Sequence, residues 1–490
     1  MANINRECRR VMRHARDYNT WFEAAQELDR REGWETWREE EDSSEFDVEL
    51  IRNRTRLIRR YRRNDDIKRM TYHLRQGLHW NLGNMGSPAL YNRARTGTKY
   101  LIHDFVNEMS AALNYLADAD FDEFPTAEKI KFFQDVALSF GRSALMLSGG
   151  VNMGFFHLGV LKALQEQQLL PKVISGSSAG AFCAAFFGTR AEEDVPDFYD
   201  IEHYDLTFWK LLSPQVAQRR GVVMDQNQLR RTMEQFFPDV TFEDAYKASG
   251  RVINITVSPP RSTQIPRLLN YLTFPHLYVR EAVLASCAVP FVFGPVMLMT
   301  RDPEGEKEPF MPSQRWSDGS LKSDMPIMRL RRLHNVNHTI VSQTNPHVLP
   351  FMQFSNRDQG GMGQAASEFM LSTARVQAGT TLDLLRRVTP HGRVNDYLGT
   401  AHAMVSQNYR GSVTILPRFK AINYARIAAN PSVREIHDYI LEGERSTWAK
   451  IAMIRTQTTI SRTLDACLKR LQARTDINRP SGQPKLRVVR

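Results

Sequence analysis

Cysteine is scarce in this chain: four residues among 490, Cys8, Cys183, Cys287 and Cys467, with no C-x-x-C pair. That excludes a disulfide framework and a thiolate zinc site, and predicts free thiols. Long apolar runs are missing too. The longest nearly apolar stretch, Val289 to Met299, is about eleven residues and is broken by Pro290, Gly294 and Pro295, against roughly twenty needed to cross a bilayer. No transmembrane helix is expected. Met1 to Arg16 is charged throughout and lacks the apolar core of a secretory signal, so a location inside the cell is expected. No internal repeat, Cys/His finger or aromatic RNP-type strand is found, which argues against a nucleic-acid partner. Metal-ligand clusters are absent as well, and neither a metal nor an organic cofactor is expected. The closest histidine pair, His334 and His338, lies in a loop-like run at a strand entrance.

What is present is an ordinary globular composition, 42% hydrophobic with 27 glycines, and a net charge of +11. Such length predicts two to four domains, and the positive balance favours an anionic partner. Residues 1–138 are rich in charge and aromatics at helical spacing, as in Trp21, Ala25, Leu28 and Leu50, Leu57, Tyr61, and predict a helical domain. Within it, Arg52 to Arg69 holds nine Arg or Lys, with Ile51, Leu57, Ile58 and Tyr61 as an apolar stripe, a candidate for an anionic membrane surface. Residues 139–345 alternate short apolar runs, Ala144–Leu147, Lys172–Ile174, Val252–Val257 and Thr339–Val341, with glycine turns and amphipathic stretches. That alternation predicts an α/β domain around a largely parallel sheet. Helical patterns return over 346–473, notably in Glu435–Leu441 and Ile451–Leu471, and 474–490 reads as a disordered tail.

The chemistry concentrates in three turns. Lys172-Val173-Ile174-Ser175-Gly176-Ser177-Ser178-Ala179-Gly180 runs a β-branched strand into G-x-S-x-G and then into a small-residue helix. This is the strand-turn-helix setting of a nucleophile elbow, with Ser178 exposed in a tight turn and Gly176, Ser177, Ala179 and Gly180 around it. Upstream, Ser148-Gly149-Gly150-Val151-Asn152-Met153-Gly154 joins a strand to a helix beginning near Phe155. Amides at such a turn can stabilise a negative oxygen. The spacing is not G-x-G-x-x-G, and no acidic ribose ligand ends the next strand, so a dinucleotide site is disfavoured. Third comes Trp316-Ser317-Asp318-Gly319-Ser320, followed by Asp324-Met325-Pro326.

In this order the three turns resemble the patatin-like phospholipases, which combine a glycine-rich oxyanion loop, a G-x-S-x-G serine and a later Asp-Gly aspartate. The resemblance implies a three-layer patatin-like sandwich flanked by helical terminal regions, and a Ser-Asp dyad without histidine. It assigns Ser178 as nucleophile, Asp318 as general base, and Gly149, Gly150, Val151, Asn152, Met153 and Gly154 as oxyanion hole. Ser148, Val151 and Met153 depart from the Asp-Gly-Gly-Gly-x-Arg/Lys-Gly loop of patatins proper, and Ser320 from the final Gly or Ala of the Asp-Gly motif. The chain is further similar to the intracellular triacylglycerol lipase branch, in Trp21-Phe22-Glu23-Ala24-Ala25, Asn81-Leu82-Gly83, Leu269-Asn270-Tyr271-Leu272-Thr273, Ala285-Ser286-Cys287-Ala288-Val289-Pro290 and Gly443-Glu444-Arg445-Ser446-Thr447-Trp448.

The resemblance implies hydrolysis of long-chain acyl esters of neutral glycerolipids at a lipid droplet or the cytosolic face of an internal membrane. The rival readings are a phospholipase or lysophospholipid acyltransferase and a non-catalytic lipid-surface protein. An H-x(4)-D acyltransferase pattern occurs at His391 to Asp396, but with 13 His in the chain about one such match is expected by chance. A carboxylate base needs its pKa raised by burial, so the dyad is expected in an apolar cleft. Met153, Phe155, Phe156, Phe182, Phe186 and Phe187 are candidates for its walls.

Overall fold

The β-branched, uncharged stretches form the centre of a sheet because they can be buried on both faces. The computed structural model describes residues 2–195, 201–260, 264–350, 352, 409–418, 424–427 and 429–477. Its strands are β1 (Arg142–Leu147), β2 (Val173–Gly176), β3 (Val252–Ser258), β4 (Arg267–Leu269), β5 (Met299–Arg301), β6 (Lys307–Pro309), β7 (Ser317–Asp318), β8 (Val336–Ser342) and β9 (Val413–Ile415). One sheet runs β4-β3-β2-β1-β8-β9, with β7 also pairing β3, while β5 and β6 form a separate hairpin. The β1–β2, β2–β3 and β8–β9 pairs are parallel and the β3–β4 and β3–β7 pairs antiparallel. All seven residues of β3 are buried, as a strand covered on both faces requires. The α/β class with a largely parallel sheet is as expected. Strands β4, β7 and β9 were not anticipated, because two or three residues carry no periodicity of their own and their partners hold them.

The chain divides into two compact units, one of Met1–Ser143, His334–His338 and Trp448–Arg490, the other of Ala144–Leu333 and Thr339–Thr447. In the second unit, helix Ala179–Gly188 packs on β2 and β3, and helix Val279–Ser286 packs on β3 and on that helix. Every residue from Gly180 to Gly188 is buried, and the alanines and glycines let backbone approach backbone closely. Helix Phe156–Glu166 follows the glycine loop, and its Lys162 pairs at 2.7 Å with the buried Glu444 of helix Val433–Trp448.

In the first unit, helix Tyr100–Asp118 packs on helices Val48–Arg63 and Ile451–Ile477. Phe105, Met109, Leu113 and Leu116 are buried there with Ile51, Ile58, Ile460 and Leu464, each full burial contributing about 1.5–3 kcal/mol. Of the predicted stripe, Ile51, Ile58 and Tyr61 are buried and Leu57 is half-buried. The basic stretch is two helices. Asp47 caps Val48–Arg63 by accepting the Leu50 N–H at 2.9 Å, and Asp66 caps Ile67–Gly77 through the Arg69 N–H at 3.0 Å. Residues 474–477, expected in the tail, belong instead to helix Ile451–Ile477, and Arg474 Nη1 donates to the Ala117 carbonyl at 3.2 Å. Residues 478–490, and His391 and Asp396 of the H-x(4)-D pattern, lie outside the described residues. His334 ends helix Ile327–His334 and His338 sits in β8.

Candidate active site

The elbow forms where β2 stops and a helix starts at once. Ser178 takes φ 52°, ψ −123°, a conformation uncommon for any residue with a side chain and kept only where surrounding contacts enforce it. Its N–H donates to Ser286 Oγ at 2.9 Å, and that hydroxyl donates to the Thr256 carbonyl at 2.8 Å. Ser177 N–H reaches the Leu147 carbonyl at 3.2 Å, and its hydroxyl accepts from Thr256 Oγ1 at 2.7 Å. A Cβ on Gly176 would strike the Gly180 carbonyl oxygen, and one on Gly180 that of Leu147. Both positions therefore demand glycine.

Strand register brings the aspartate to the serine. Gly176 of β2 is level with Ile255 of β3, and two residues on, Val257 is level with Asp318 of β7. Ser178, two residues beyond Gly176, thus meets Asp318 at one edge of the sheet. The Asp318 N–H donates to the Ala288 carbonyl at 2.9 Å, and its Oδ1 accepts the Ser320 N–H at 2.7 Å. Asp318 is 2% exposed. Burial raises its pKa from the ordinary 3.8 to about 6, against the opposing influence of Ser320 and of the nearby Ser178 side chain.

The glycine loop is tied down from below. Gly149 N–H donates to Asp324 Oδ1 at 2.9 Å, and the Gly149 carbonyl accepts from Ser148 Oγ at 2.7 Å and Thr344 Oγ1 at 3.0 Å. His157 Nε2 lies 2.9 Å from the Ser148 carbonyl and Nδ1 2.7 Å from Ser342 Oγ. A carbonyl can only accept, so Nε2 carries the proton and Nδ1 accepts from Ser342. Burial lowers the His157 pKa to about 4, so the ring is neutral at pH 7. Met153 N–H returns to the Gly150 carbonyl at 3.0 Å. Among the described residues the amides of Gly150 and Val151 meet no acceptor, and Val151 has φ 53°.

The stretch Gly149 to Gly154 therefore does not act as one set of donors. Gly149 spends its amide on Asp324 and Met153 on the Gly150 carbonyl, and Asn152 donates its side chain to the carbonyls of Arg426 and Ala429 while accepting Trp209 Nε1–H at 3.2 Å. Gly154 packs against Ala179.

Beside Ser178 opens an apolar cavity of about 70 Å³, lined among others by Val151, Phe155, Phe182, Phe208, Trp209, Leu229, Met233 and Phe293, and, among the described residues, by no charged side chain. Of the predicted walls, Phe155 and Phe182 line it. Met153, Phe156, Phe186 and Phe187 are buried in the core instead, because one face of each helix must close on the sheet. Sequence reasoning missed Phe208, Trp209, Met233 and Phe293, which carry no local signal since the fold brings them in from separate segments. It also assigned no role to Asp324, His157, Ser286 and Thr344. Asp324, an acid six residues beyond Asp318, and Ser286, inside Ala285–Pro290, stood within segments already singled out. Among the described residues no group of three or more His, Cys, Asp or Glu could hold a metal ion.

Two family models match in series: a domain of unknown function, DUF3336, over residues 2–138, and patatin-like phospholipase over residues 145–331. Triacylglycerol lipase ptl3 of Schizosaccharomyces pombe is 34% identical over 96% of this chain and 98% of its own length. Triacylglycerol lipase SDP1L of Arabidopsis thaliana is 34% identical over 96% of this chain and 59% of its length. For triacylglycerol lipase 4 of Saccharomyces cerevisiae the values are 33%, 94% and 53%, so the chain spans little more than half of these two longer relatives. A serine elbow, a buried aspartate and a glycine loop in patatin order, with a whole-length relative at this identity, place the chain in the patatin-like phospholipase family, in the branch that carries the DUF3336 domain.

Proposed function

We propose that this chain is a serine acyl hydrolase that cleaves long-chain acyl esters of neutral glycerolipids, triacylglycerol foremost. The observation that carries the reading is Ser178, strained at its elbow, beside a buried Asp318 and opening on an apolar cavity. In this reading Ser178 Oγ attacks the ester carbonyl carbon as Asp318 takes its proton. The tetrahedral oxyanion accepts the Gly150 and Val151 amides. When the C–O bond breaks, Asp318 returns the proton to the departing alcohol oxygen, leaving an acyl-Ser178. Water, deprotonated by Asp318, then attacks that ester, and as the acyl–Oγ bond breaks Asp318 returns the proton to Ser178 Oγ, releasing the fatty acid and restoring the free enzyme. With a pKa of about 6, Asp318 is ionised at pH 7 and is a stronger base than an exposed carboxylate. His157 has both ring nitrogens engaged and is not needed for proton transfer.

The uncharged cavity lining favours a neutral acyl chain over a phosphate-bearing one, and relatives named triacylglycerol lipases point the same way. Such an ester is met at an interface. No helix among the described residues is long and apolar enough to cross a membrane, and the net charge is +11. We place the chain peripherally, on a lipid droplet or the cytosolic face of an internal membrane. The test is fatty-acid release from emulsified triacylglycerol and from phospholipid by the parent and by Ser178→Ala. Release by the parent that the mutant lacks, larger on triacylglycerol, supports the reading, and equal release by both proteins refutes it.

A further inference from the structure

Two segments of the second unit meet in a backbone ladder next to the cavity. Leu211 pairs with Met224, Leu212 N–H donates to the Val223 carbonyl at 3.0 Å, and Met224 N–H donates to the Val292 carbonyl at 3.0 Å. Three large apolar residues stand exposed on or beside this ladder: Leu211 at 72%, Val223 at 47% and Phe291 at 54%. Each is close in sequence to the cavity or the ladder. Trp209 precedes Leu211 by two positions, and Val289 and Phe293 flank Phe291 by two, all three lining the cavity. Phe291 is held at φ 68°, a backbone conformation that strains a bulky residue.

The charge of the two segments is one-sided. From Trp209 to Met224 the sequence carries Lys210, Arg219 and Arg220 and no carboxylate, and from Ala288 to Thr300 it carries no charge at all. The three cations are exposed and enter no ion pair among the described residues. Exposed apolar residues flanked by unpaired cations have the composition of a surface that lies on anionic lipid: the apolar groups enter the acyl boundary and the cations meet headgroups. Each cation near such a surface adds to the attraction, which salt screens.

We propose that the face formed by Lys210–Leu211, Arg219–Val223 and Phe291 is the surface by which this chain lies on a lipid layer bearing anionic headgroups, so that acyl chains pass from the layer into the cavity at Ser178. The inference rests on the acyl-hydrolase reading for its purpose, but its test does not.

The test is co-sedimentation of the full chain, carrying Ser178→Ala so that no turnover intervenes, with vesicles of phosphatidylcholine alone and with about one-fifth phosphatidylserine. Leu211→Asp with Val223→Asp is expected to lower the partition coefficient about tenfold on both vesicles. Arg219→Gln with Arg220→Gln is expected to lower it about tenfold on the phosphatidylserine vesicles only, with the difference vanishing at high salt. In the Ser178 parent, both double variants are expected to hydrolyse a soluble short-chain ester at the parental rate, which shows that they fold. Parental vesicle binding by both double variants overturns the proposal and leaves this rim to a protein partner. A parent that binds vesicles but hydrolyses no ester overturns the acyl-hydrolase reading and leaves the docking face standing.

Discussion

Gly149 donates its backbone N–H to Asp324 Oδ1 at 2.9 Å across 175 positions of chain. The glycine loop is thereby fixed to the segment that also carries Asp318. Asp324 is 1% exposed, and burial, reinforced by the nearby Asp318 charge, pushes its pKa well above the carboxylate range. Asp324 anchors the loop, and its burial favours the neutral carboxyl.

This anchor gives a paired expectation. Asp324→Asn keeps an oxygen for the Gly149 amide and should retain most of kcat, with an unchanged acid limb. Asp324→Ala strands a buried N–H at a cost of about 1–3 kcal/mol and should lower kcat roughly 10²-fold by letting the oxyanion donors drift. Steady-state kinetics and a melting curve on both variants decide it. Equal loss in the two variants would reduce Asp324 to a packing residue.

The raised Asp318 pKa sets the pH profile. As a base it works only when ionised, so kcat/KM should fall tenfold per unit below about pH 6. Stability runs the other way. A carboxyl whose folded pKa exceeds its unfolded value adds stability below pH 3.8 that is lost as pH rises through about 6. The ionised group therefore costs about 3 kcal/mol at pH 7, at 1.36 kcal/mol per unit. Asp318→Asn should abolish turnover and raise Tm at pH 7, with the gain shrinking toward pH 4. A lower Tm at pH 7 would contradict the assignment of burial as the cause.

The cavity predicts chain-length control. Met233→Trp places a larger ring among Phe182, Phe208 and Leu229 and should raise KM for long-chain esters about tenfold while leaving a short-chain ester within twofold. Overpacking should cost about 1–3 kcal/mol, which a melting curve separates from the kinetic effect. Parallel losses on both esters would mean that the acyl chain lies elsewhere.

The basic stretch is less free than its composition suggests. Arg59 and Arg62 donate to Glu108 at 3.0 and 2.9 Å, and Arg52 pairs with Glu41 at 2.5 Å. Burial pushes the Glu108 carboxyl up, but Arg62 and Arg59 outweigh it and hold its pKa below the ordinary 4.5. Arg59→Gln with Arg62→Gln should destabilise the protein by about 1–3 kcal/mol, since the partners are about a third exposed and screened. Arg60→Gln with Arg63→Gln, both exposed, should stay within about 0.5 kcal/mol and so be usable in liposome flotation. Thermal unfolding of the two double variants makes the comparison.

Much of the fold could be read from local pattern. The four principal strands were visible as runs such as Val252–Val257, because a strand buried on both faces has no polar alternation. The elbow was legible because a tight strand-to-helix turn needs glycine where backbone meets backbone. Ser286, Thr344 and the lining Phe208 and Trp209 were not legible. Each acts through a partner a hundred or more positions away or through a wall assembled from several segments, and such partnerships leave no periodicity in one sequence.

By itself the sequence determined the class of the sheet, the serine turn and the aspartate that follows it, since these depend on local conformational demands: β-branching, glycine at close approach, a hydroxyl on a strained turn. Only the tertiary structure decided which of these groups can react together and in what protonation state. The level of Val257 with Asp318 across β3 and β7 carries the carboxylate to Ser178, and burial, a property of the whole packed unit, moves its pKa to about 6. The same packing commits Gly149 to Asp324 and, among the described residues, leaves the Gly150 and Val151 amides without an acceptor. A hydrogen bond satisfied in one place cannot serve in another, and only the folded chain fixes where each is spent.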